Sequence, residues 1–120
     1  MIKQRKNIYK KVKNMQKSIF VEYFGDSPYI RVLDFLIGGH MFDYSMTEIA
    51  RGAGVGWSVF TKIWVNLLRK NIIAPTRTIG NAKLFKLNLE NPAVKKIVQI
   101  DWELSKLAAD GMLKEVEVVS

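Results

Sequence analysis

The 120-residue chain contains no cysteine, which excludes disulfides and thiolate metal sites and fits a reducing compartment. It holds one histidine, His40. No second histidine and no thiol accompanies it to build a metal site or an activated nucleophile. Its position after Gly38-Gly39 reads as a surface turn. Long apolar runs are lacking, so no segment is expected to cross a membrane. The basic start, MIKQRKNIYKKVKNM, lacks the apolar core of a secretory signal, and the expected location is the cytoplasm. Acidic residues are scarce: 11 Asp and Glu against 19 Lys and Arg leave a net charge of +8, which suits a polyanionic partner. Near the motifs below stand Asp34, Asp43, Glu48 and Asp101; Glu48 is explained by helix capping and Asp34 by the solvent side of a helix. Gly52, Gly54 and Gly56 join two helices and follow no strand, so they form no phosphate loop. No catalytic residue, metal, cofactor or small-molecule substrate is expected, and the chain reads as a non-enzyme.

Nearly half of the chain (48%) is hydrophobic, enough to bury a core in one domain with flanking helices. From Met1 to Val21 there is no acid, and Ile8, Val12, Met15 and Ile19 recur four, three and four apart. This predicts a basic amphipathic helix within 1–23. A break follows at Gly25-Asp26-Ser27-Pro28, where Asp26 or Ser27 can cap a helix over Pro28–Ile37. Ile30, Leu33, Leu36 and Ile37 share one side of that helix, and Gly38-Gly39 closes it. Met41–Tyr44 reads as a short strand. Ser45 and Glu48 form a capping box for a helix from Met46 to Ala53. Gly54-Val55-Gly56 is a turn. The next helix, Trp57 to Lys70, should carry Phe60, Ile63, Trp64, Leu67 and Leu68 inward. Extended runs over 72–78 and 83–88 flank Gly80-Asn81, a tight hairpin signal in which both residues accept positive φ. Asn91-Pro92 opens a last helix with a stripe at Ile97, Ile100, Leu104 and Leu107. Gly111 is expected to end it near 112; the tail, 113–120, has no assignment.

Helix, short strand, helix, turn, helix, hairpin, helix is the order of a winged helix-turn-helix. Ala50 is the small residue needed where two helices touch, and Gly54 accepts the left-handed turn four residues later. Val55, Phe60 and Ile63 pin the second helix of the motif, with Ile49 and Ala53 completing the face of the first. The expected fold is therefore mainly α with a small β-hairpin wing: a winged helix-turn-helix over 24–90, an added helix at 1–23 and another at 91–112.

The words FGDSPYIRVLDFL, FDYSMTEIARGAGV, TRTIGNAKLFKLN and ENPAVKKIVQIDWELSKLA resemble a group of small archaeal winged helix-turn-helix DNA-binding proteins. The resemblance covers about Phe24 to Ala109 and implies DNA binding of the transcription-regulator type. The chain departs from it at Gly56-Trp57-Ser58, where relatives tend to carry a serine and basic residues. Trp57 cannot donate a bidentate contact to guanine. Either base reading shifts to later positions, or this surface does something other than bind DNA.

In the DNA reading, Trp57, Ser58, Thr61, Lys62, Val65, Asn66 and Arg69 face the major groove. Thr61 and Lys62 are the leading base or phosphate contacts. Arg77, Thr78, Asn81 and Lys83 lie around the hairpin tip, for flanking phosphates or the minor groove. Arg31 and Arg51 are further phosphate candidates. The stripe Ile97, Ile100, Leu104 and Leu107, with Trp102, is the expected homodimer surface. The leading expectation is a transcriptional regulator that occupies double-stranded DNA. Alternatives are a non-specific chromatin-type or replication accessory binder, and a winged-helix protein-interaction module anchored on Trp57.

Overall fold

The computed structural model describes residues 18–119, with side chains to Gly111; the predicted N-terminal stripe from Ile8 to Met15 lies outside them. Five helices and one hairpin follow in the order α1 (Ile19–Phe24), α2 (Pro28–Gly38), α3 (Met46–Ala53), α4 (Trp57–Arg69), β1 (Ile73–Ile79), β2 (Ala82–Leu87) and α5 (Pro92–Val119). This is the winged helix-turn-helix fold expected from the sequence.

The caps explain where the helices begin. Ser18 and Ser27 each accept a bond from the backbone N–H three residues on, at Val21 and Ile30. Ser27, not Asp26, caps α2, and Pro28 takes the first turn. The capping box of α3 is complete: Ser45 Oγ accepts from Glu48 N, and Glu48 Oε1 accepts from Ser45 N at 3.0 Å. Gly54 closes α3 in the left-handed conformation (φ 67°), so α4 can start only three residues later.

The end of α4 is built differently. Asn71 is the one non-glycine residue with positive φ (55°) among the described residues. Its carbonyl accepts from Asn88 Nδ2 at 3.0 Å and Asn91 Nδ2 at 3.1 Å, while Asn91 also caps α5 by accepting from Ala93 N. Three asparagines thus join the exit of α4 to the entry of α5. A left-handed conformation costs a β-branched residue about 1–2 kcal/mol. Asn71→Val is expected to lose about that much in urea unfolding, and Asn71→Gly to stay near the parent.

The core lies under the helix-turn-helix. Val32, Leu36, Ile49, Phe60, Leu67, Leu87 and Val94 are its most enclosed side chains, so α2 to α5 and β2 all contribute. Phe60 stacks between Trp57 (centroids 5.5 Å apart) and Trp64 (5.3 Å), and Trp64 meets Phe85 of β2 edge-on at 4.9 Å. Gly52 of α3 lies against the Phe35 ring of α2, where a Cβ would come within 2.2 Å of a ring carbon. Leu68, expected inside, is exposed. It lies one position beyond the inward face, which Leu67 fills.

In the antiparallel hairpin, Ile73 faces Leu87, Pro75 faces Phe85 and Thr78 faces Lys83. The register shifts between Pro75 and Thr78, so Thr76 and Arg77 bulge against one partner residue. Only Gly80 of the Gly80-Asn81 turn has positive φ (61°), which corrects the expectation for Asn81. The predicted strand at 41–44 reduces to one bridging residue: Tyr44 and Phe85 exchange both backbone bonds, at 2.8 and 2.7 Å. Gly111 does not end α5, which runs on to Val119 and through most of the unassigned tail. One glycine in a long helix costs only about 1 kcal/mol, too little to break it. At 28 residues α5 is about 42 Å long. It packs against α1, and no helix among the described residues is long and apolar enough to cross a membrane.

Candidate nucleic-acid interface

Helix α4 buries Phe60, Ile63, Trp64 and Leu67. At 100° per residue, the positions opposite that face are Ser58, Lys62, Val65 and Arg69, spaced four, three and four apart. Ser58, Lys62, Val65 and Arg69 are all exposed. The outward face of the second helix of the motif is therefore one narrow stripe with two cations.

The neighbouring polar groups are committed within the chain. Thr61 Oγ1 donates to the Ser58 carbonyl at 3.0 Å, back along its own helix. Tyr29 of α2 donates its phenolic proton to Asn66 Oδ1 at 2.9 Å. Burial raises the Tyr29 pKa, which keeps that donor protonated. Both Thr61 and Asn66 are half-buried. Trp57 opens the helix with one face on Phe60 and half of its surface (53%) in solvent.

On the hairpin, Arg77 is not free. Its Nε donates to Asp43 Oδ2 at 2.9 Å and its Nη2 to Oδ1 at 3.2 Å, a two-point pair, and Thr76 Oγ1 donates to the same Oδ2 at 2.6 Å. Asp43 lies in the α2–α3 connection, so it ties the bulge of the wing to the body of the domain. These bonds, from Arg77 first and Thr76 second, hold the Asp43 carboxyl below the usual carboxylate range. The sign follows: a lowered folded pKa adds stability above the unfolded value of about 3.9, lost as pH falls through the folded value. The tether is intact at neutral pH and opens as the pH falls below the ordinary carboxylate range.

Asn81 and Lys83 are exposed near the hairpin tip, and Arg51 is exposed on α3. Arg51, Lys62, Arg69 and Lys83 have no ion-pair partner among the described residues, whereas Arg31 contacts Asp26 at 3.4 Å. Arg31 lines a shallow cleft of about 370 Å³ with Asp26, Asp34 and Gly52. Lys70, not among the sequence candidates, sits 6.0 Å over the Tyr29 ring at the far end of α4.

The predicted dimer stripe divides. Leu104 is buried, and Ile97 packs against the core. Ile100 (43%), Leu107 (58%) and Trp102 (64%) are exposed on α5. Sequence reasoning missed Asp43 and Tyr29 as organisers of the site. Asp43 had a signal: it is the acid within the otherwise apolar Met41–Tyr44.

A helix-turn-helix with a hairpin wing beside its second helix defines a winged-helix domain. No protein family matches the chain, and neither does any curated sequence. Among solved structures it resembles a mutant MepR from a multidrug-resistant clinical isolate of Staphylococcus aureus (TM-score 0.58, 13% identity, covering 93% of this chain and 80% of that one). It also resembles the adhesin competence repressor AdcR of Streptococcus pyogenes (TM-score 0.57, 17% identity, 92% and 88% covered). YusO of Bacillus subtilis is a third such structure (TM-score 0.53, 17% identity, 99% and 91% covered). MepR is a transcription regulator of a multidrug efflux pump.

Proposed function

We propose that the chain is a transcription regulator that binds double-stranded DNA, with α4 in the major groove and the β1–β2 wing on the flanking backbone or minor groove. The observation that carries this reading is the stripe Ser58, Lys62, Val65 and Arg69. It is the solvent face of the second helix of a helix-turn-helix, in a chain with eight excess positive charges. The fold shared with MepR and AdcR supports it. Lys62 and Arg69 contact phosphates or base edges, and Arg51, Lys83 and Asn81 add backbone contacts. Ser58 and Trp57 lie where the helix enters the groove. Thr61 and Asn66 act as supports of the helix surface. Two copies pair through Ile100, Trp102 and Leu107 of α5, which places two reading helices on one duplex.

The test is fluorescence anisotropy on a mixed-sequence duplex at several salt concentrations. Binding that weakens steeply with salt is expected; no binding at low salt would overturn the proposal. Equal affinity for every duplex would favour a chromatin-type binder. The exposed half of Trp57 favours a second reading, a protein-interaction module anchored on that ring. In that case Trp57→Ala removes partner binding, and Lys62→Ala leaves it unchanged.

The Asp43 tether gives a separate prediction. Asp43→Asn should release Arg77 toward phosphate, tighten binding at low salt and steepen the salt slope by about one. Weaker binding at an unchanged slope would mean that Asp43 serves to hold the wing in place.

A further inference from the structure

The proposal that α4 reads DNA leaves its centre unexplained, because the middle of the outward stripe is apolar. Val65 is 55% exposed, directly opposite the core face and between Lys62 and Arg69. Of the neutral side chains on either side, Asn66 accepts at Oδ1 from Tyr29 and Thr61 donates its hydroxyl proton to the Ser58 carbonyl, which leaves the cations Lys62 and Arg69 as the unpaired groups flanking Val65 among the described residues. The bond from Tyr29 ties the Asn66 amide to α2 and so competes with the two-point contact that an amide makes with adenine. Among base edges in the major groove, thymine alone offers an apolar group, its 5-methyl.

We infer that Val65 packs against a thymine methyl, so that the preferred duplex places thymine at the centre of each reading-helix contact. Lys62 and Arg69, one turn away on either side, would hold the helix at that depth through flanking phosphates or bases. This inference rests on the DNA reading above. The occupant is double-stranded DNA, because Val65 is bracketed along the stripe by the cations Lys62 and Arg69; the other exposed apolar side chain beside it, Leu68, lies off the stripe toward the edge of the core face.

The test separates the two ideas. A randomised duplex pool is selected once on the full-length protein, and the selected pool is then remade with deoxyuridine in place of thymidine. That exchange removes only the methyl and preserves base pairing. The parent protein should bind the uracil pool more weakly, by about fourfold for each methyl in contact, the worth of one buried methylene-sized group. Val65→Ala should bind both pools alike. Val65→Thr, which keeps a branched methyl, should keep part of the preference. Since Val65 is exposed, the variants should melt with the parent. Equal binding of both pools by the parent would overturn the thymine inference and leave DNA binding intact. Failure to bind or enrich any duplex at low salt would overturn both.

Discussion

Phe60→Ala is expected to lose about 3–5 kcal/mol of stability, the cost of removing a fully buried aromatic side chain and leaving its cavity. Phe60 has no exposed surface and lies between the rings of Trp57 and Trp64. The substitution removes both stacking contacts as well as the buried area. Small domains have only about 5–15 kcal/mol in hand, so the variant should be close to unfolding at room temperature. A urea titration followed by far-ultraviolet circular dichroism measures the change in midpoint. Phe60→Leu, which keeps much of the apolar volume, should lie well above Phe60→Ala. A loss below about 1 kcal/mol for the alanine variant would show that the ring stack is not the centre of the core.

Replacing Lys62 and Arg69 together by alanine should have the opposite profile. Both are exposed, so the melting temperature should scarcely move. Duplex affinity should fall about tenfold for each lost charged contact, and the slope of log affinity against log salt should shrink by about two. Salt titrations of parent and variant on one duplex, monitored by anisotropy, check both quantities. An unchanged slope would mean that the cations of α4 do not meet phosphate, and if affinity were unchanged as well the groove-facing assignment of α4 would fall. Arg77→Ala is a poorer probe of the wing, because Arg77 is already paired with Asp43. Removing it exposes a carboxylate and subtracts a cation at once.

The helices were legible because their ends are written locally. Ser27-Pro28, the Ser45–Glu48 box, Gly54 and Asn91-Pro92 each act over three or four residues, and each stands where the sequence placed it. The hairpin was legible for the same reason. What failed to show in the sequence depends on distant partners. Asp43 meets Arg77 34 positions later, and Tyr29 meets Asn66 37 positions later. No spacing rule links such pairs, so Arg77 and Asn66 looked available for DNA when each already had a partner. The α5 stripe failed differently: Ile97 and Leu104 share a periodicity with Ile100 and Leu107, but only the fold decides which pair packs inward. Gly111 misled because one glycine costs a helix only about 1 kcal/mol and does not by itself stop it. Leu68 shows the limit of periodicity at the edge of a face, where one residue of rotation separates inside from outside.

The four-ring ladder from Trp57 through Phe60 and Trp64 to Phe85 has an optical consequence. It sets one indole at the solvent edge and another in the core, on the same helix and in line with the wing. Emission from Trp57 should respond to whatever settles on the entrance of α4, while Trp64 should respond to the hairpin leaning toward or away from the body. Near-ultraviolet dichroism, which depends on fixed ring-to-ring geometry, should register any movement of the wing. The protein therefore carries its own spectroscopic reporter, and with Trp102 replaced by phenylalanine the remaining signals come from the two places where contact and motion would be felt.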